Sequence, residues 1–483
     1  MPRGTTVNRI RLLLPPLCLA LLASGCATTK LPLLPISVPL PRINFLGGEE
    51  RDYSRKDRDE AARRLMAHLR QEFPLADRKG IAWDSLEGHL LARVAESDED
   101  SVFYYALRDL AASLRDANVS LSESPKLLSE QFAGGYGLSL TATDDGRVFV
   151  TEVAEGGPAE KAGVLPMAEV IYWNGEPVLD TVAKAPVLWG GQPAATEARA
   201  FTRKLSGITR APFDTRATVT YRNPGDVQKD AAITATKETW SALQAESMLP
   251  SVTLDMRTIL SSKTLDGGVG YIRVDLFAPN MTTPFPARAF RSALAGFVDS
   301  GAPALILDLR GTSAGLDEFA AEFAAHFLSE ARPYRELEVY NDKTEAFERD
   351  PASALSVTPA EPMAPRTYLL VDGQTARAAE TFAWTLQQAG AAVVVGESKT
   401  RGVTNVPDRT VKLPGGHTFT YPIGRWIAPD GTTPVEPDAV GEGGVTPDIK
   451  IPVTEESLRS SVLEKRDTAL EYLQSHIARQ QPQ

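Results

Sequence analysis

Apolar residues recur at helical spacing at Leu65, Met66, Leu69 and Phe73, and again at Phe103, Leu107, Leu110 and Leu114. Residues 51–125 therefore read as a small helical domain. The period then changes. Residues 131–240 carry short apolar runs divided by turn signals. Asp145-Gly146 precedes a run at 148–153, and Asn174-Gly175 ends a run at 170–173. Such pairs between apolar runs are hairpin chemistry. Gly157-Pro158-Ala159 opens a short helix that stops at Gly163. Residues 250–470 alternate strand (269–274, 304–309, 367–371, 392–395) with helix (287–298, 317–327, 378–389). That alternation predicts an α/β layer. The tail, 454–479, reads as one more helix.

The N-terminus breaks these patterns. Arg3, Arg9 and Arg11 precede an apolar stretch from Leu12 to Leu22, followed by Ala23-Ser24-Gly25-Cys26. This order is that of a secretory signal, and the apolar stretch is far short of the roughly 20 residues that a membrane span needs. The last four residues resemble a bacterial lipobox, with Ala23 where leucine is preferred. The resemblance implies removal of residues 1–25, acylation of Cys26 and a membrane-anchored location in the cell envelope, periplasmic or outer-membrane. Pro32, Pro35, Pro39 and Pro41 make 26–50 an extended tether.

Charge and cysteine content narrow the chemistry. The formal net charge is −11, and losing residues 1–25, with three arginines and no acid, moves it to −14. Such a surface repels phosphate backbones, so nucleic acid is not an expected partner. Cys18 and Cys26 are the only cysteines, which leaves the mature chain without a free thiol, a disulfide framework or a thiolate metal site. The five histidines are scattered without ligand spacing, and neither a metal nor another cofactor is expected.

Residues 131–240 resemble a PDZ domain, through the Tyr136-Gly137-Leu138-Ser139 loop, the Gly-Pro-Ala helix and the Asn-Gly turn. Met167-Ala168 stands where such domains usually have Gly-Asp. The resemblance implies a long helix over 194–205 lining a groove, closing strands over 217–236, and an extended peptide or protein C-terminus that adds a strand to a sheet edge. The amides of Tyr136, Gly137 and Leu138 would receive its carboxylate.

Six stretches, in order, resemble the tail-specific or C-terminal processing serine peptidases, whose relatives include the tricorn core and retinoid-binding modules. They begin at Gly80, Leu114, Leu305, Thr375, Val393 and Gly444, with the PDZ-like segment between the second and third. The resemblance implies a multidomain α/β protein: a helical domain, a β-rich PDZ domain with two helices, and an α/β/α core over 250–470 ending in a helix. The family's chemistry is acyl transfer by a serine at a helix N-terminus, with a lysine or a histidine as base. Backbone amides hold the oxyanion.

Position by position, that machinery is absent. Arg377 stands in the serine's place within Thr375-Ala376-Arg377-Ala378-Ala379-Glu380, and it cannot act as a nucleophile. Gly402 stands at the lysine position and Asn118 at the histidine position. The oxyanion loop reads Gly311-Thr312-Ser313-Ala314-Gly315 where the family has asparagine and several glycines, and side chains at Ser313 and Ala314 restrict close approach. The resemblance thus implies an inactive pseudoprotease that binds peptides or C-termini. One alternative is an active endopeptidase using Thr375, Ser313 or Ser398 with Lys399, and another is an assembly scaffold. For Arg377 itself, an ion pair with Glu380 is the preferred expectation over reception of a peptide's carboxylate.

Overall fold

A computed structural model describes residues 53–122, 124, 132–237 and 259–480. The expected signal, Cys26 and the tether lie outside these residues.

The chain first forms three helices, Arg55–Glu72, Trp83–Glu96 and Asp100–Ser113. Ser54 and Asp57 cap the first reciprocally, satisfying amides that the helix leaves open. The middle helix lies within the stretch read as helical but carries a weak apolar pattern, because it buries little beyond Leu90 and Val94. Leu65, Leu69, Phe103, Leu107 and Leu110 pack together as the spacing predicted, but their core is completed by Phe419 and Tyr421 from far along the chain. Strand Thr418–Pro422 pairs with Ser120–Leu121 and with Asp408–Lys412. The helical segment is therefore stitched to the α/β region directly after the 114–119 turn.

Residues 132–237 build an antiparallel sheet in the order Leu138–Ala142, Val148–Val153, Glu169–Trp173, Arg216–Arg222, Lys229–Thr234. Leu138–Ala142 lies at one edge. The helix expected over 194–205 runs instead over Glu197–Ile208, because the Thr196 hydroxyl accepts the Arg199 amide and sets its start.

The α/β region centres on a six-stranded sheet in the order Leu260–Thr264, Gly270–Val274, Leu305–Asp308, Thr367–Val371, Ala392–Gly396, Ile449–Lys450. The first pair is antiparallel and the rest are parallel. Parallel strands are covered on both faces, which explains their unbroken apolar runs. Leu305 and Leu307 face Phe290, Leu294 and Phe382 on one side. Ile306, Tyr368 and Leu370 face Leu470, Leu473 and Ile477 on the other. The tail is two helices rather than one, Glu455–Glu464 and Thr468–Gln480, broken where Lys465 turns left-handed (φ 57°). A long hairpin, Arg332–Asn341 with Ala346–Val357, was hidden by its many charged residues and by Pro351.

Candidate functional site

The Ala378–Gln388 helix starts at the end of a turn that follows strand Thr367–Val371. Arg377 is its N-cap and holds φ 57°, ψ −124°, a strained conformation for a residue with a side chain. Neighbouring loops fix it there. Its amide donates to the Val403 carbonyl (2.8 Å), and the Ala376 amide donates to the Thr312 carbonyl (2.9 Å). The backbone therefore presents residue 377 at the head of the helix, whatever its side chain.

The Arg377 side chain meets Asn118. Its Nη1 donates to Asn118 Oδ1 at 3.2 Å. Asn118 is held in turn, since its amide donates to Asp116 Oδ1 (2.8 Å), and Asp116 lies 3.6 Å from the buried Lys79 ammonium. The two positions that sequence alone placed at nucleophile and histidine base, 259 residues apart, are thus in contact.

The expected Arg377–Glu380 ion pair does not form. Glu380 is fully buried and points away, accepting from the Thr400 hydroxyl and from the Gly402 (2.6 Å) and Val403 (2.8 Å) amides. Three donors on one loop outcompete a single cation one turn back. Burial pushes this carboxyl up to about 8, against the pull of those donors. Burial also moves the Arg377 guanidinium below its ordinary value, opposed by the more distant Glu436, Asp408, Asp116 and Glu380. It stays charged regardless.

Gly402, at the lysine position, has φ 78°, and a β-carbon there would stand 2.9 Å from Pro437 Cγ and 3.1 Å from Thr196 Cγ2. The space for a base is filled. Glu436 is a site residue that sequence reasoning missed. It is buried and accepts from the Thr404 amide and hydroxyl, and burial, with Asp116 nearby, pushes it up to about 7. Nothing in its sequence neighbourhood marks a carboxylate that folds inward.

The oxyanion loop is turned inward. The Gly311 amide donates to Asp372 Oδ1 (3.0 Å) and the Thr312 amide to the Leu309 carbonyl (3.1 Å). The Thr312 hydroxyl donates to the Val274 carbonyl, while Ser313 and Ala314 are half-buried. The displaced-nucleophile candidates are not brought together. The Thr375 hydroxyl donates to the Leu309 carbonyl (2.9 Å), and Lys399 pairs with Glu442. Among the described residues, no group of three or more His, Cys, Asp or Glu side chains is placed to hold a metal ion.

At the other candidate site, one predicted amide is unavailable. Tyr136 donates its N–H to the Thr209 carbonyl (3.1 Å), and its ring packs edge-on against Trp173 in the core. The short pairing of Gly134–Gly135 with Arg210–Ala211 draws the chain inward just before it. Gly137 keeps a left-handed φ of 75° and accepts from Ala154 through its carbonyl, while Leu138 begins the edge strand.

Residues 268–451 match the model of peptidase family S41. That stretch is a peptidase S41 domain. Among relatives, the carboxy-terminal processing protease CtpA of Bacillus subtilis (strain 168) is 24% identical over 360 residues, covering 74% of this chain and 65% of its own. CtpB of the same strain is 23% identical over 346 residues, covering 70% and 62%. The chain thus spans less than two thirds of the length of these relatives. Among solved structures, mature CPAF aligns with a TM-score of 0.62 at 13% identity, over 88% of this chain and 96% of that one. Its complex with lactacystin aligns at 0.61 and 14%, over 88% and 98%. The chain therefore shares the fold of CPAF over 88% of its length.

Proposed function

We infer that this chain is a non-catalytic S41 protein that binds extended peptides or protein C-termini in the cell envelope, anchored by lipid at Cys26. The observation that carries this reading is Arg377, seated at the head of the helix and touching Asn118. Nucleophile and base are replaced together while the turn that presents them persists. A serine-peptidase site acts as a unit, so losing its nucleophile removes nearly all catalysis. The inward loop amides and the closed space at Gly402 support the same reading. Peptide binding would use the free edge of Leu138–Ala142, flanked by the Glu197–Ile208 helix, as in PDZ-type strand addition. Gly137 and Leu138 are the remaining candidates for carboxylate capture there.

The test has two arms. A fluorophosphonate probe and a tagged-peptide hydrolysis assay should give no labelling and no turnover; a labelled serine or threonine would restore the endopeptidase alternative. Calorimetry with a C-terminal peptide library should detect binding, and hydrogen exchange should slow along Leu138–Ala142. A folded protein that binds no C-terminus leaves the assembly-scaffold reading instead.

A further inference from the structure

Arg377 is a half-buried cation with no ion pair among the described residues. A guanidinium carries five N–H donors in a planar fork, and here one hydrogen bond is made, to the neutral Asn118 amide oxygen. The carboxylates whose fields reach Arg377 are engaged elsewhere or out of reach. Glu380 serves the Gly402–Val403 amides, Glu436 serves Thr404, and Asp116 serves Asn118 and Lys79. Asp408 projects from an edge strand, exposed, and beyond ion-pair distance. The unused guanidinium nitrogens still reach solvent. Withdrawing a charge from water without a partner is costly. Here the cost is held in place by a strained backbone conformation, φ 57°, ψ −124°, pinned by Val403 and Thr312. Strain of this kind persists where the surroundings over-determine it, most often at ligand sites.

We propose that Arg377, oriented by Asn118, is the receptor for a carboxylate supplied by the terminus of a peptide or by an acidic side chain within one. One side of the guanidinium is fixed by Asn118, and its open edge presents parallel N–H groups of the spacing a carboxylate accepts. Asp408 is an exposed carboxylate whose field reaches the same cation. The inference rests on the non-catalytic reading only in needing a site free of acyl chemistry, and it does not depend on the edge strand at Leu138–Ala142.

Phenylglyoxal modification of the full chain, read at Arg377 by peptide mass spectrometry, tests it. The probes are an acetylated alanine tetrapeptide with a free carboxyl terminus, the same peptide amidated, and the amidated peptide with one internal aspartate. A carboxylate-bearing probe should slow labelling of Arg377 several-fold at saturation and the amidated alanine peptide should not. Whichever carboxylate protects identifies the source. By calorimetry, Arg377→Gln should weaken the protecting peptide about tenfold or more, as expected for losing a charge-assisted pair, and Asp408→Asn should strengthen it. An Arg377 that reacts equally fast with every probe, or that phenylglyoxal never labels, overturns the proposal. Exchange slowed at Leu138–Ala142 with Arg377 unprotected would sink this inference and leave the edge-strand reading intact. The reverse pattern would do the opposite.

Discussion

At the Arg377 corner of the candidate site a side chain projects from the head of a helix, whereas at the Gly402 corner the space is closed. Residue 377 begins its helix with a positive φ and reaches Asn118. Residue 402 instead lies under Pro437 and Thr196, its amide bound to Glu380. The difference teaches which position could accept another side chain. A backbone position tied by loop hydrogen bonds tolerates a change of side chain. A position packed on all sides does not, because close packing leaves no spare volume.

Four experiments press on that contrast. The largest effect is expected at Glu380, which joins both corners. Glu380→Leu strands two amides and a hydroxyl in the interior and should cost about 3–5 kcal/mol in urea unfolding; a cost under 1 kcal/mol would mean that the 400–403 loop is held by something else. Gly402→Lys comes next. A side chain at φ 78° against Pro437 should cost about 2–4 kcal/mol and yield no hydrolysis, and a stable, active variant would erase the contrast.

The third is pH dependence. Glu436 moves from an ordinary 4.5 to about 7 in the folded protein, so between those values the folded state holds a proton that the unfolded state has released. Stability must then fall as pH rises through that window. Glu380, pushed up to about 8, acts with the same sign. The urea midpoint should drop from pH 5 to pH 8, and Glu436→Gln should flatten that slope while keeping the Thr404 hydrogen bonds. An unchanged slope in the variant would show that Glu436 stays ionised throughout.

The smallest effect should be at the Arg377 corner itself. Arg377→Ser should alter stability by about 1 kcal/mol or less, since it removes one hydrogen bond and relieves an unpaired charge. It should not restore hydrolysis, because Asn118 cannot take a proton. Adding Asn118→His supplies a base on the loop facing residue 377, and slow fluorophosphonate labelling of the double variant alone would sharpen the contrast. Equal labelling of the single variant would show that another base serves residue 377.

The parallel strands were legible because burial on both faces writes continuous apolar runs such as 304–309. Arg377 stood out in the sequence too, because its neighbours Thr375-Ala376 and Ala378-Ala379-Glu380 match the motif of the resemblance. The Arg332–Asn341 hairpin was not legible, since it is stabilised on a surface that its own residues only half specify. The sequence by itself thus determined the layer order of the α/β region and the chemical identity of residues 118, 377 and 402. Only tertiary structure decided that 118 and 377 touch, that Glu380 serves a loop rather than Arg377, and that the Tyr136 amide is spent. These outcomes are competitions among donors and acceptors brought together from distant parts of the chain. The number of partners that reach a group in the folded state decides them, and residue spacing carries no record of that number.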